Sequence, residues 1–226
     1  MDMNAKALAK TNKLLYSIFL ISFIGYLSTL QYRPYPLSHL VKIIPIISLL
    51  FFAFINIPGS RGKLIVSGLF FSAIGDVFLS ISGKGFFIYG LAAFGLAHIM
   101  YIFALSKLPE WKRKRMIFSM VFVLYGLFIG FWLFPNIIDN GRFIPVVIYF
   151  FLLMSVGISA VLGRNNHFLI IPGAFLFMIS DSVIAVNIFI TKVPNSSFWI
   201  MLTYYPAQFL ITYGASLKSI KESKFN

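Results

Sequence analysis

Two aspartates lie inside long apolar runs of this sequence, where aspartates are rare. Of the six acidic residues in the chain, only Asp76 and Asp181 fall within such runs. A carboxylate at the centre of a bilayer costs about 2.5–3.5 kcal/mol even on the lenient insertion scale, so two of them need a reason. If they lie close together, one stays protonated while the other is ionised, which general acid–base catalysis requires. The same pair would also suit a proton-coupled carrier. Alternatively, each aspartate could have only a structural role, with its carboxyl group hydrogen-bonded to a neighbouring residue of its own helix.

Two other apolar runs carry polar side chains that share a helical face. His98 and Tyr101 are three residues apart, and Tyr204 and Gln208 are four apart, with Tyr205 beside the second pair. Residues at these spacings are neighbours on a helix surface. They could line the same site as the aspartates, although a packed, hydrogen-bonded side chain explains each of them as well.

Two further polar residues are candidates for the site. Lys42 lies within the first two turns of the second apolar run, where a lysine commonly extends its ammonium group towards the membrane surface. It could instead hold a phosphate group or pair with one of the aspartates. Asn187 is rotated two-thirds of a helical turn from the face of Asp181, which makes it the weaker candidate.

Several common chemistries find no support in the sequence. The chain has no cysteine, which excludes disulfides, thiol catalysis and thiolate metal sites. His39, His98 and His167 fall in separate segments without metal-ligand spacing, and no Gly-rich phosphate loop or serine nucleophile elbow is present. We therefore predict no metal and no organic cofactor.

The elements that must position these residues are membrane helices. The chain has 226 residues, 59% of them hydrophobic, and its mean hydropathy is +0.90. A bilayer-spanning helix needs about 20 mostly apolar residues. Eight runs fit, and together they predict an all-α polytopic membrane protein forming a single bundle over residues 1–226: about 14–30, 37–56, 64–82, 86–106, 116–134, 142–162, 168–190 and 197–217.

The basic residues predict the orientation of the bundle. With eight spans, fourteen of the nineteen lysines and arginines fall on the side that carries both termini and the 57–63, 107–115 and 163–167 loops. The other side has only Arg33, Lys42, Lys84, Arg142 and Lys192. Cytoplasmic loops are enriched in Lys and Arg, so we expect both termini in the cytoplasm and the chain in a bacterial inner membrane. This distribution accounts for the net charge of +13 through topology and contact with membrane lipid, not through nucleic-acid binding, and no obligatory protein partner is evident.

An internal repeat relates the two halves of the chain, about 14–106 and about 116–217. Lys42 precedes Arg142 by 100 residues, and Asp76 precedes Asp181 by 105. His98 and Gln208 correspond in the same way at an offset of 110. Four helices in each unit would give two parallel four-helix repeats with the aspartates at matching depth. Chance matching among apolar residues is the alternative.

The order of the polar positions resembles a known family. The chain is similar to the YhhN-like lysoplasmalogenase family from its second to its eighth apolar run. The resemblance is carried by Lys42-x-x-Pro45, Phe71-Ser72-x-x-Gly75-Asp76, Ala97-His98-x-x-Tyr101, Ile179-Ser180-Asp181-Ser182 with Asn187-x-Phe189, and Tyr204-Tyr205-x-Ala207-Gln208.

This resemblance implies a membrane-embedded enzyme that hydrolyses the vinyl ether bond of lysoplasmalogens to a fatty aldehyde and a glycerophospho-head group. Asp76 and Asp181 would then be the catalytic acid and base, in an order that the sequence leaves open. The substrate-binding residues would be Lys42, His98, Tyr101, Asn187, Tyr204, Tyr205 and Gln208, with no cofactor.

Two alternatives use the same aspartates. An intramembrane aspartyl protease is disfavoured because Ala73 replaces the first glycine of a Gly-x-Gly-Asp sequence. A small proton-coupled transporter is the better alternative, because the paired carboxylates and the repeat are both typical of transporters. The parallel order of the repeat and the few polar residues in the spans disfavour it.

Overall fold

A computed structural model describes residues 3–33, 35–81, 85–106, 109–137 and 141–222, with the side chains of residues 3–5 and 218–222 left out. Five lysines for which the sequence predicted a side of the membrane have no described side chain: Lys84, Lys107, Lys218, Lys221 and Lys224. The described chain is a bundle of eight α-helices: α1 (Met3–Thr29), α2 (Ser38–Asn56), α3 (Gly59–Ser80), α4 (Phe86–Leu105), α5 (Arg113–Leu133), α6 (Phe143–Leu162), α7 (Ile170–Phe189) and α8 (Ser196–Glu222).

The all-α membrane architecture is confirmed. Seven of the helices, α1 to α7, are long and apolar enough to cross a membrane. Large apolar side chains cover the outer faces of the bundle, and Phe54, Phe128 and Phe131 are 72%, 67% and 85% exposed. So much exposed apolar surface suits lipid rather than water. The chain is an integral membrane protein.

Helix α8 carries several polar groups towards the core of the bundle. Tyr204, Tyr205, Gln208 and Thr212 are at most 2% exposed in the bundle. Hydropathy alone therefore gives a weak signal that this helix spans the membrane. The sequence nevertheless predicts a span over residues 197–217, which is most of the helix. Pro206 lies inside α8 without ending it.

Three helices extend beyond the apolar runs from which they were predicted. Helix α1 begins at Met3 rather than near residue 14, and its first turns contain Ala, Lys and Leu, which favour helix. Helix α3 begins at Gly59, and α8 continues to Glu222. Hydropathy marks the part of a helix that lies in lipid, whereas the helix itself continues into the polar layer.

Loop contacts fix the alternating direction of the helices. The side chain of Asn12 near the start of α1 bonds Asn56 at the end of α2, at 2.9 Å. Arg61 at the start of α3 donates to Asn166, which precedes α7, and Asn166 donates to the carbonyl oxygen of Leu105 at the end of α4. The starts of α1, α3 and α7 and the ends of α2 and α4 therefore share one end of the bundle, here called the basic end.

The basic end carries the cationic segments of the sequence. Arg115 at the start of α5 donates to the carbonyl oxygens of Val161 and Gly163 at the end of α6. Lys112 lies 2.6 Å from Glu110, and this ammonium group lowers the pKa of that carboxyl. These contacts join the predicted cytoplasmic loops to one another.

Small residues let α3 and α4 approach closely. A Cβ atom added to Gly68 would lie 2.4 Å from the ring of Tyr101, and one added to Gly75 would lie 2.5 Å from the ring of Phe94. Close packing over small residues is the usual way in which membrane helices associate. Gly75 therefore brings a phenylalanine of α4 against the backbone beside Asp76.

The helix pairings of the two halves are alike only in part, because the contacts of α5 with α7 and of α1 with α8 have no counterpart of similar extent among the described helices. Within each half, successive helices pack on each other, and between the halves α4 packs on α6 as α2 packs on α8. The chemistry of the two halves differs, because Lys42 pairs with Asp76 whereas Arg142 lies over the ring of Phe87. The repeat and the division at 14–106 and 116–217 stay predictions.

Candidate active site

Asp76 forms a buried ion pair with Lys42. The Nζ atom of Lys42, in the second turn of α2, lies 2.9 Å from Oδ1 of Asp76 near the end of α3. It also donates to the backbone carbonyl oxygen of Asp76 at 3.4 Å. Lys42 and Asp76 are only 6% and 1% exposed. A buried pair needs further hydrogen bonds to offset the loss of solvation, and α8 provides them.

Helix α8 supplies a network of hydroxyl and amide groups around this pair. Tyr204 donates its hydroxyl hydrogen to Oδ2 of Asp76 at 2.8 Å, and Tyr205 donates to the carbonyl oxygen of Lys42 at 2.8 Å. Gln208 donates to Oγ of Ser72 at 3.0 Å. Its own carbonyl oxygen accepts a bond from Tyr101 at 2.7 Å. The carboxyl group of Asp76 is therefore held in one orientation.

Asp181 has different partners, and no lysine or arginine of the described chain forms an ion pair with it. Tyr149 on α6 donates to Oδ2 of Asp181 at 2.5 Å. The Nε2 atom of His98 lies 3.9 Å from the same oxygen and has no hydrogen-bond partner. The Nδ1 atom of His98 lies 2.5 Å from the carbonyl oxygen of Phe94, which can only accept, so Nδ1 carries the hydrogen. Nε2 thus faces Asp181.

A polar cavity contains both carboxyl groups. It has a volume of about 760 Å³, and Asp76, Lys42 and Asp181 form part of its wall. It reaches the end of the bundle opposite the basic end, since its wall includes the last residue of α3 and the first of α8. The remaining polar residues of the wall are Arg33, Ser80, Ser180, Asn187, Ser196, Ser197 and Tyr204.

An apolar cavity lies against the other side of Asp181. Its volume is about 680 Å³, and apart from Asp181, Ser182 and the hydroxyl of Tyr149 its wall is hydrocarbon. The residues common to both walls are Leu79, Phe94, Asp181 and Ile184. A carboxyl group therefore stands where a polar cavity meets an apolar one.

Similarity to known proteins shows the family to which this chain belongs. A model of the YhhN family matches residues 37–215, which include both aspartates and every side chain of the network. This chain belongs to the YhhN family. The resemblance found in the sequence is thereby confirmed, and the matched range covers α2 to α7 and most of α8.

Relatives in this family carry the name lysoplasmalogenase. "Lysoplasmalogenase TMEM86A" of Bos taurus is 35% identical over 193 residues, which cover 79% of this chain and 78% of the bovine protein. Its Homo sapiens counterpart is 34% identical with the same coverage. "Lysoplasmalogenase" of Mycobacterium bovis is 33% identical over 162 residues, covering 69% of this chain and 61% of the mycobacterial one. No solved structure gives a significant match.

The structure places the predicted site residues of this YhhN protein in two layers. Asp76, Asp181, Lys42, Asn187 and Tyr204 line the polar cavity. The other four line neither cavity and lie behind its wall, each of them completely buried: His98, Tyr101, Tyr205 and Gln208. Their geometry is that of groups that orient the wall. Among the described residues, no three His, Asp or Glu side chains are grouped as metal ligands would be.

Among the polar residues of the cavity walls that the sequence analysis did not single out, Tyr149 and Arg33 are the most important. Tyr149 bonds Asp181, and its signal was a lone tyrosine inside the apolar run of α6. Arg33 lines the polar cavity from the segment between α1 and α2, where the sequence treated it only as a loop cation. For Lys42 the sequence left two site roles open, and in the structure its ammonium group pairs with an aspartate, Asp76.

Proposed function

We propose that this YhhN protein hydrolyses the vinyl ether bond of lysoplasmalogens, releasing a fatty aldehyde and a glycerophospho-head group such as glycerophosphoethanolamine. The observation that carries the proposal is the position of Asp181 at the junction of a polar and an apolar cavity. A lysoplasmalogen has one alkenyl chain and one polar head, joined at the bond that must break. The names of the relatives support the same substrate.

The two cavities fit a lipid with a single chain. With the head group beside Lys42 and Asn187, the alkenyl chain passes Leu79 and Phe94 into the apolar cavity. The vinyl ether then lies against Asp181.

We assign the acid role to Asp181. Vinyl ether hydrolysis begins with proton transfer to the alkenyl carbon that is not bonded to oxygen, and the neighbouring carbon and ether oxygen become an oxocarbenium ion. Asp181 faces the apolar cavity and pairs with no lysine or arginine of the described residues, so it suits the protonated carboxyl. Its contact with the Tyr149 hydroxyl fixes the orientation of the group.

We assign the carboxylate role to Asp76, whose charge the Lys42 ammonium group compensates at 2.9 Å. An anion near the oxocarbenium ion stabilises the transition state, as in the two-carboxylate logic of glycoside hydrolysis. A water molecule adds to the cationic carbon and gives up a proton to the Asp76 carboxylate, forming a hemiacetal. As the hemiacetal collapses to aldehyde and alcohol, Asp76 returns this proton to the departing alcohol oxygen and the Asp181 carboxylate takes the proton of the hemiacetal hydroxyl. One water is consumed, and each carboxyl group regains its starting state.

The buried residues behind the wall act as positioning groups in this scheme. Tyr204 and Gln208 hold Asp76 through hydroxyl and amide contacts, and Tyr101 fixes Gln208. Tyr205 ties α8 to the backbone at Lys42. His98 stands behind Asp181 with its Nε2 atom 3.9 Å from the carboxyl group, and its ring packs edge-on against that of Tyr149, which bonds Asp181.

We also propose the membrane placement. The positive-inside rule puts the basic end, with both termini, in the cytoplasm of a bacterial cell. The polar cavity then opens towards the outer leaflet, because its wall includes Ser80, Ser196 and Ser197 at the opposite end of the bundle. Lysoplasmalogen would enter from that leaflet.

Aldehyde release by the purified protein tests the proposed function. Alkenyl lysophosphatidylethanolamine should yield fatty aldehyde, whereas the acyl lyso-lipid of the same length should yield no fatty acid. The Asp181→Asn variant should release none from either. No product from any lyso-lipid would contradict the hydrolase and would favour the transporter, whose action needs a sealed compartment.

A further inference from the structure

We propose that Arg33 binds the phosphate group of the substrate and selects lipids that carry one. This assignment rests on the proposed function for the identity of the ligand, and it names the residue that reads the head group. Arg33 lies in the polar cavity wall with Lys42, and among the described residues these two are the only lysine or arginine side chains that line it.

The guanidinium group of Arg33 is fixed in place before any ligand binds. Its Nη1 atom donates to the hydroxyl oxygen of Tyr26 at 2.9 Å, and its Cζ atom lies 5.9 Å from the centre of that ring. Tyr26 is completely buried and packs edge-on against Tyr205, which in turn bonds the backbone of Lys42. A pre-ordered arginine loses little side-chain entropy when it binds a ligand.

One edge of this guanidinium group is left for a ligand. Its Nε atom is buried without a hydrogen-bond partner, and the hydrogen bond of Arg33 within the described chain uses Nη1. Within that same part of the protein, no carboxylate lies within 4.0 Å of Arg33. The Nε and Nη2 groups point along one edge, which matches two oxygens of a phosphate group. A buried donor without a partner is costly, so a ligand that accepts from it binds well.

The charges of the cavity also point to Arg33. Lys42 is compensated by Asp76 at 2.9 Å and is held in the protein's own ion pair. With Asp181 protonated as the acid, Arg33 carries the positive charge that remains uncompensated among the described residues of the wall. A phosphodiester head carries one negative charge, which this charge neutralises.

Lipid binding without turnover provides the test. The probes are 1-O-alkyl lysophosphatidylethanolamine, whose saturated ether cannot be cleaved by this route, and 1-O-alkylglycerol of the same chain length, which lacks the phosphate. The intact protein should bind the phospholipid more tightly. Arg33→Gln should weaken that binding about 10- to 100-fold, as expected for charge-assisted hydrogen bonds, and leave alkylglycerol binding unchanged. Because neither probe reacts, the result does not depend on whether the protein hydrolyses lysoplasmalogens.

Two further variants separate recognition from structure. Arg142→Gln removes a second arginine that lies over an aromatic ring, 5.5 Å from the centre of Phe87, outside the wall of the polar cavity, and should bind both probes as the intact protein does. Arg33→Lys should recover only part of the phospholipid affinity, because it restores charge without the paired donors. If Arg33→Gln weakened the binding of both probes equally, Arg33 would have a structural role and would not recognise the phosphate. If the variant bound the phospholipid as the intact protein does, Arg33 would not contact the ligand.

Discussion

At the scale of single residues, the two aspartates differ in ways that the sequence could not distinguish. Asp76 has a lysine at 2.9 Å and a tyrosine hydroxyl at 2.8 Å, whereas Asp181 has a tyrosine and the unpartnered nitrogen of a histidine. The sequence identified both carboxyl groups because an acid in an apolar run is costly. It could not assign their roles, since the partners come from α2, α6 and α8, far away in the chain.

Replacing each aspartate by asparagine should separate catalysis from stability. Asp76→Asn and Asp181→Asn should each lower aldehyde release by about 10²–10⁴-fold, the usual contribution of a general acid or base. Asp76→Asn should also destabilise the bundle by about 3–5 kcal/mol, because it leaves the Lys42 charge buried and uncompensated. Initial rates and thermal unfolding in detergent measure the two effects.

The controls for this prediction are a double variant and a distant acid. Adding Lys42→Met to Asp76→Asn should recover most of the stability without recovering activity. Glu110→Gln makes the same chemical change at the basic end and should keep full activity. An active Asp76→Asn or Asp181→Asn variant would contradict the two-carboxylate mechanism.

At the scale of helices, hydropathy predicted the elements well and their extents poorly. The eight apolar runs correspond to the eight helices, because a span must be apolar along most of its length. The first turns of α1 and the last of α8 were missed, because helix propensity continues where hydropathy stops. Side-chain register was predicted for Tyr204 and Gln208, but the face of α6 that carries Tyr149 was not, since a mostly apolar helix gives little sign of its inner face.

The packing of α3 on α4 should be essential for the junction of the two cavities. In Gly75→Ala, the new methyl group would lie 2.5 Å from the ring of Phe94, which lines both cavities and packs edge-on against Tyr204. Displacing this ring by about 1 Å should lower kcat/KM for alkenyl lysophosphatidylethanolamine up to about 100-fold.

A glycine on α4 provides the matched control. In Gly95→Ala the nearest side-chain atom would be 3.7 Å away, on Leu152, which is an ordinary contact. This variant should keep the activity of the intact protein. It should be slightly more stable, because alanine has a higher helix propensity than glycine. Equal activity in Gly75→Ala and Gly95→Ala would show that the ring of Phe94 does not shape the site.

At the scale of the whole molecule, the bundle has two chemically different ends. The basic end joins the loops through Arg61, Asn166 and Arg115, and the opposite end opens into the polar cavity. Charge counting predicted this polarity from the sequence. The two adjoining cavities could not be predicted, because their walls come from residues spread between Arg33 and Tyr204.

Cysteine labelling in cells should establish which end faces outward. The natural chain has no cysteine, so Ser197→Cys creates a single probe at the mouth of the polar cavity, and Lys114→Cys creates one at the basic end. A membrane-impermeant maleimide should label Ser197→Cys in intact spheroplasts and Lys114→Cys only after lysis. The reverse pattern would place the site on the cytoplasmic side.

In the proposed mechanism, a carboxyl group of this protein protonates a carbon atom of the vinyl ether. Hydrolysis in heavy water shows directly whether that carbon receives a proton. Purified protein would cleave alkenyl lysophosphatidylethanolamine in D₂O, with the aldehyde reduced to alcohol as it forms, and mass spectrometry would locate the label. We predict one deuterium on the carbon next to the former aldehyde carbon, at a rate that Asp181→Asn reduces to background. Aldehyde without deuterium at that carbon, or labelled aldehyde from Asp181→Asn at the normal rate, would contradict the mechanism.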